Sequence, residues 1–480
     1  MFKKILALLL AIIVLAGCTG GGSSTPAPAA APAATAAPAA TAAPTAAPAA
    51  SDASAAKKSW VIAICGINLD DGMNATLERE AEGFNTLAAT LLAEEFPGLS
   101  FEFIAVPWDG ASARIQTLLQ TNGADLITQG GAFIPQYFAE GLIQSITPFI
   151  ERDEADRSWF YDEVFYSNLQ EHPHTRDFGD TQTLTLPWQI GYRSIIYDSV
   201  LFEQWGVEPL SEYPTPAEIL EKAAMMTGIN PVTGEENYGA YIAANSLNMS
   251  YLVPVSEHFG DVGATGNFAD PASIQWSLNS PGFVNTLQWA VDLARFIPPA
   301  AATGQGHEKF GTENNDIAIM IDRNGGAIMG VYFRTGNDAM IDRFVPTMHM
   351  GHNGGNWTPV DGMGMNANLK GADADMAWEI LKFMTGKEVM SWFFTNWGPF
   401  AMGNRAIEEL IDPKDPYLRK NNVIVAQATH PGYEMNPFYG VQMQPVFASM
   451  ISQSVAGEDV NVQAELDALQ AAAIAWSEMR

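Results

Sequence analysis

The stretch TLTLPWQIGYRSIIYDSVLFEQWGVEP, from Thr183 to Pro209, constrains the fold of this chain more than any other. Leu184 to Leu186 and Ser194 to Tyr197 read as short extended segments, with Pro187 and Gly191 placing a bend between them. Such a bend lets one strand leave one sheet and the next enter another. Trp188 and Tyr192 fall at the bend, where they would face a cleft between two sheets, and Gln189 and Arg193 flank it. Arg193 would serve equally to tie two lobes together.

Before the bend, strand and helix alternate. Trp60 to Cys65 reads as a buried strand, and Leu77, Ala81, Phe84, Ala88 and Leu91 recur at helical spacing after an Asn74 cap. Ser100 to Val106 and Asp125 to Thr128 are further strands, Ala111 to Thr121 and Phe133 to Leu142 further helices. This is the pattern of a parallel sheet covered on both faces, and ligands of such sheets bind beyond the carboxyl ends of the strands. The rule points to three loops: Gly66 to Met73, Pro107 to Gly110, and Gln129 to Phe133.

After the bend the pattern restarts. Thr215-Pro216-Ala217-Glu218 combines a cap, a proline at the first helical position and a capping-box glutamate, predicting a helix to about Met226. Ser280-Pro281 opens another, with Phe283, Leu287, Ala290 and Ala294 facing inward. Asp316 to Met320, Ala327 to Val331 and Asp361 to Asn366 read as extended, Asp373 to Thr385 as helical. A last helix presents Val462, Leu466, Leu469, Ala473 and Trp476 on one face. Met225, Met226, Met384 and Met390 fall on helices as core filler.

The N-terminus is a targeting signal. Lys3 and Lys4 precede an apolar run from Ile5 to Leu15, too short for a bilayer span of about 20 residues, and Leu15-Ala16-Gly17-Cys18 closes it with small residues. Residues 1–17 are therefore expected to be a signal peptide. The tetrad LAGC resembles a bacterial lipobox, which implies lipid on Cys18; a plain signal peptide with an incidental cysteine is the alternative. Residues 18–58 are rich in alanine, proline and threonine and cannot bury a core. At ~3.1 Å per residue they form a tether on the order of 100 Å long.

Acidic residues outnumber basic ones 54 to 24, a formal charge of −30, which argues against nucleic acid or an anionic membrane surface as a partner. The other cysteine, Cys65, has no internal disulfide partner and lies in an apolar run as a small core residue. The histidines of EHPH (His172, His174) and HMGH (His349, His352) lack the spacing of a zinc site and read as solvated or hydrogen-bonded loop residues. No catalytic elbow or phosphate-binding loop is present, and no cofactor or metal is expected. Candidate ligand-binding aromatics lie beside Pro, Gly and Asn in predicted loops: Trp108, Phe133, Trp188, Tyr192, Tyr251, Tyr332, Trp357, Trp397 and Tyr439. Planar rings suit the C–H faces of sugars, while Asp109, Gln129 and Gln189 supply acceptors and donors for hydroxyls. Any one of these aromatics is as readily a core residue, and Asp109 as readily a helix cap.

These pieces together resemble a known family. YRSIIYDSVLFEQWGVEP followed by TPAEIL, VPWDGASARIQTLLQTNGADLITQGGAFIPQYFAEGLIQSITPFIE, NPVTGEENYGAYI, NNDIAIMIDRNGGAIMGVYFRTGN and DGMGMNANLKGADADMAWEILKFMTGKEVMSWFFTNWGPFAM are similar, in order and spacing, to the family 1 extracellular solute-binding proteins of ATP-driven importers. One departure is CGINLDDGMNATLEREAEGF, which replaces a usually short first loop. The resemblance implies an α/β fold of the two-lobe periplasmic-binding-protein type (type II), each lobe a β-sheet flanked by helices, with three crossings. It places 59–187 plus 336–386 in the first lobe and 188–335 plus 387–480 in the second. It further implies a monomeric receptor outside the cytoplasm of a bacterium, lipid-anchored to the cell membrane, that delivers a small polar solute, a carbohydrate above all, to permease subunits of an ABC transporter. A secreted carbohydrate-active enzyme, or a sensor that presents its closed form to a signalling partner, are the alternatives.

Overall fold

The structure, a computed structural model, describes residues 56–74, 79–108, 110–131, 133–153, 160, 172–191, 194–244, 249–321, 332, 335–350, 357–397, 401–417 and 435–480. The expected signal peptide, Cys18, the expected linker up to residue 55, Leu77, Asp109, Tyr192, Arg193, His352 and the strand expected at 327–331 lie outside the described residues.

In chain order the strands are β1 (Ser59–Cys65), β2 (Gly72–Asn74), β3 (Arg79–Ala81), β4 (Ser100–Val106), β5 (Leu126–Gly130), β6 (Thr185–Ile190) and β7 (Ile196–Asp198). They continue with β8 (Gly228–Ile229), β9 (Glu236–Tyr241), β10 (Ala264–Thr265), β11 (Gln275–Trp276), β12 (Ile317–Met320), β13 (Phe344–Pro346), β14 (Val360–Met365) and β15 (Ala401–Met402). One sheet has the order β15-β6-β14-β5-β1-β4 and a second the order β13-β7-β12-β9-β8.

The first sheet is mixed rather than parallel as expected. β1 is parallel to β4 and β5, but β14 is antiparallel to both β5 and β6. The cause is topological: β14 arrives from the other sheet at the carboxyl edge and can only run away from it. β7 enters the second sheet the same way, antiparallel to β12, while β12 and β9 are parallel.

Two crossings join the sheets side by side. The first is residues 191–195, between β6 and β7; the second runs from Pro346 to Val360. Val360 pairs with Ile190 and Pro346 with Ile196, so both crossings start and finish on neighbouring strands. Gly191 N–H donates to the Pro359 carbonyl at 2.7 Å and Thr347 N–H to the Ile195 carbonyl at 2.7 Å. Gly191 is required here, because a Cβ would lie 2.6 Å from Pro359 Cγ. His174 Nδ1 accepts from Val360 N–H at 3.1 Å, tying the buried turn Pro173–Thr175 to the same point.

The division of the chain between the sheets departs from the expected one. Residues 338–346, expected with the first lobe, belong to the second sheet: β13 pairs with β7, and Phe344 is in the second core. Residues after 386 were expected to leave the first lobe, yet Val389, Met390, Phe393 and Ile407 pack in the first core. Tyr417 is in the second, its hydroxyl donating to the Phe344 carbonyl at 2.8 Å. Hydrophobic runs do not announce which sheet they will cover, so these boundaries follow from packing alone.

Strand periodicity splits the first lobe's core in two. Trp60, Ile62 and Ile64 of β1 face one layer, with Leu186, Trp188 and Met363, while Ala63 and Cys65 face the other, with Ile127 and Leu184. The predicted caps are present: Thr215 Oγ1 accepts from Glu218 N–H at 3.1 Å and Ser280 Oγ from Phe283 N–H at 3.2 Å. The helix expected from Leu77 instead begins at Phe84, and Ala81 lies in the hairpin β2–β3. Met225 is 51% exposed rather than core, whereas Met226, Met384 and Met390 are buried. Among the described residues no helix is long and apolar enough to cross a membrane.

The far end of β7 is held by one buried carboxylate. Asp198 accepts from the N–H groups of Val200 and Leu201 at 3.0 and 3.3 Å, from Asn315 Nδ2 at 2.8 Å and from Arg343 Nη2 at 2.7 Å. Its side chain is fully buried and that of Arg343 nearly so. Asp198→Ala strands the guanidinium and uncaps a helix, so a loss of roughly 3–5 kcal/mol is expected. Urea unfolding of the two proteins reads it, and a loss below about 1 kcal/mol, the worth of an exposed pair, would contradict a structural role for this network.

Candidate functional site

The carboxyl edge of the first sheet is built on two missing side chains. Gly66 follows β1 with φ +69°, and a Cβ there would lie 2.2 Å from Trp108 Nε1. The bare α-carbon therefore lets the indole of Trp108, just beyond β4, lie across the end of β1. Gly130 ends β5, and a Cβ there would meet Asp361 Oδ1 at 2.3 Å. Asp361, second residue of β14, is thereby admitted to the strand ends, paired with Gly130 on one side and Gln189 on the other.

Two exposed rings stand on this edge. Trp108 is 53% and Phe133 44% exposed, and they are the large aromatics that stay most open among the described residues. Phe133 opens the helix Phe133–Ala139 directly after β5. Gln129, in β5 just before Gly130, is buried: its Oε1 accepts from Gly130 N–H at 3.2 Å, and its side chain lies near the Tyr137 hydroxyl, which donates to the Ser112 carbonyl at 2.8 Å. Burial drives the Tyr137 hydroxyl well above its ordinary value. The Cys65 thiol is 3.4 Å from the Thr128 carbonyl and 3.9 Å from Gln129 Oε1. Burial first, and the Asp361 carboxylate second, push it up to about 12.

The other expected residues scatter. Gln189 is half-buried on β6, beside Asp361. Trp188 was expected at a bend but lies inside β6, 1% exposed, its ring 5.1 Å from Phe393 in the first core. Strand β6 tolerates Pro187 because the register with β14 shifts at a bulge between Asp361 and Gly362, opposite the proline. Tyr251 is fully buried in the second core, donating to the Ala243 carbonyl at 3.1 Å, and Tyr439, 8% exposed, packs on Phe447 there. Tyr332 bonds the Gly311 carbonyl and, like Trp357, half-covers the second core. Trp397 is half-buried, stacked on Phe393 at 6.0 Å and 14°. Trp108, Gln129, Phe133 and Gln189 thus lie at or just beyond the carboxyl ends of strands of one sheet, whereas Trp188, Tyr251 and Tyr439 are buried in the cores. Asp361 was missed, because its value depends on a glycine that faces it across the ladder and not on its own neighbours.

The exposed rings and the carboxylate of this edge suit a polar, neutral, ring-bearing or polyhydroxylated molecule. Among the described residues no group of three or more His, Cys, Asp or Glu is arranged to hold a metal ion.

Residues 74–391 match the family model described as bacterial extracellular solute-binding protein. The chain belongs to this family. Solved structures share the fold of this solute-binding protein: an ABC transporter solute-binding protein of Agrobacterium vitis with bound D-mannitol has a TM-score of 0.63 at 18% identity, covering 88% of this chain and 98% of the other. One of Thermotoga lettingae with α-D-tagatose gives 0.64 at 16%, covering 88% and 100%. The GacH receptor of Streptomyces glaucescens, solved with acarbose, gives 0.61 at 15%, covering 88% and 99%. The solute-binding protein accordingly has the two-lobe fold of periplasmic binding proteins, each lobe a sheet flanked by helices.

The thiol at the base of this edge offers a test of the packing. With its pKa near 12, on the order of one Cys65 in ten thousand is thiolate at pH 8. In a Cys18→Ala variant, Cys65 is expected to resist Ellman's reagent in the native protein and to react within minutes in guanidinium. Because the folded state holds the proton, stability should fall as pH rises above 9.0, the value of the free thiol. Rapid native labelling at pH 8 would show that the edge is open to solvent.

Proposed function

We propose that this solute-binding protein captures a carbohydrate or polyol between its two lobes and delivers it, unchanged, to the permease of an ABC importer. The carrying observation is the edge formed by Trp108, Phe133, Gln129 and Asp361, where the loops after three neighbouring strands converge. A six-step link spans at most about 20 Å, so the short crossing keeps the two carboxyl edges within reach of one small solute. Closure is favoured when a solute touches both lobes, since only the closed form makes both sets of contacts. Lipid on Cys18, with the proline-rich segment as a tether, would hold the receptor at the outer face of a bacterial membrane. D-mannitol, D-tagatose and acarbose, found with structurally similar receptors, define the first solutes to try.

Isothermal calorimetry against that panel, extended with maltotriose, is the test. Saturable binding with the solute recovered intact supports the receptor, while conversion of the solute overturns it in favour of an enzyme. Trp108→Ala is expected to weaken binding about tenfold, the equivalent of 1.4 kcal/mol. Asp361→Asn, removing hydrogen bonds to a charged group, should cost about 1.5–3 kcal/mol. If both variants bind like the parent, the solute lies elsewhere.

A further inference from the structure

The role of the first loop, 66–83, is visible in what it grips. The helix Lys387–Asn396 ends beside it, and the last carbonyls of a helix have no partner within the helix. Here the hairpin β2–β3 supplies the partners. Asn74 Nδ2 donates to the carbonyls of Asn396 and Trp397, both at 3.1 Å, and Arg79 Nη2 donates to that of Thr395 at 2.5 Å. Glu82 completes the grip from both sides: its N–H donates to Asn396 Oδ1 at 3.2 Å, and its carboxylate accepts from Trp392 Nε1 at 2.7 Å. Asn74 is 7% exposed, an amide committed to the interior of this joint.

What the capped helix delivers is Trp397. The next described residues form β15, whose Ala401 pairs with Ile190 at the carboxyl edge, so the chain on the far side of Trp397 is fixed on the side of the crossings. A guanidinium at a helix C-terminus is also favoured by the helix dipole, which makes the arrangement directional. We infer that the hairpin positions Trp397 at the rim of the solute site, with Asn74 and Arg79 as the positioning residues that set affinity for solute through that indole. The inference rests on the carbohydrate reading for its ligand and on the capped helix for its geometry.

A double-mutant cycle separates positioning from general damage. For whichever of D-mannitol, D-tagatose, acarbose and maltotriose the parent binds most tightly, Asn74→Ala is expected to weaken binding at least fivefold in protein that still unfolds in one cooperative transition above the assay temperature. In a Trp397→Ala background the same substitution should have no effect, because the indole it acts through is gone. Arg79→Lys, which keeps a donor for Thr395, should retain affinity that Arg79→Ala loses. Unaltered binding in Asn74→Ala, or an equal loss with and without Trp397, overturns the inference. A second readout needs no solute: in protein labelled with 5-fluorotryptophan, the Trp397 resonance, assigned among the 12 tryptophans by Trp397→Phe, should shift or broaden in Asn74→Ala while that of Trp60 stays put. A parent that binds none of the panel sinks the carbohydrate reading, and the resonance then decides the clamp: an unmoved Trp397 signal overturns it.

Discussion

The pairing of two crossings at both of their ends governs this structure. Because Val360 lies against Ile190 and Pro346 against Ile196, chain leaving one sheet and chain returning to it are fixed as neighbours. The directions of β7 and β14 follow at once, and so does the mixed character of both sheets. The same pairing places the carboxyl edges of β1, β4 and β5 on the side where the chain passes to the other lobe. The placement of the proposed site at those edges is then a consequence of connectivity, before any side chain is considered.

Side chains finish the edge by subtraction. At Gly66 and Gly130 a methyl group would collide with Trp108 and Asp361 respectively, so absence at one position is what seats a functional group contributed by another strand. Behind them, Cys65, Gln129 and Tyr137 form a buried polar layer with its protons held in place by burial. Such a floor is neutral, which leaves Asp361 as its charged neighbour.

Legibility in the sequence tracks how local each cause is. Caps at Thr215 and Ser280, the apolar run of β1 and the face of the last helix depend on residues a few positions apart, and all can be read directly. Trp188, Tyr251 and Tyr439 look the same as Trp108 in sequence, beside prolines, asparagines and glycines, yet Trp188 and Tyr251 are buried against partners far along the chain, Phe393 and Trp289, and Tyr439 is buried in the second core. Asn74 illustrates the limit well. It has the right chemistry for a cap and was expected to cap the helix after it, but the helix end it satisfies lies more than 300 residues away. The family resemblance supplied the two-lobe arrangement, which periodicity alone does not; the points where the chain passes between lobes needed the packing itself.

The first-lobe edge cannot by itself drive closure. A solute that touched only Trp108, Phe133 and Asp361 would bind the open and closed forms equally, and equal affinity shifts no equilibrium however tight it is. If capture works through closure, the discriminating contacts must come from the second lobe, at the carboxyl ends of its parallel strands β9 and β12, which finish at Tyr241 and Met320. Moving a two-state equilibrium from 1:99 to 99:1 takes about 5.5 kcal/mol of difference in affinity, more than one aromatic stack provides. Under the proposed closure several polar contacts made only on closing are therefore required, and this is a reason for a solute with many hydroxyls, each a donor and an acceptor, to suit such a receptor.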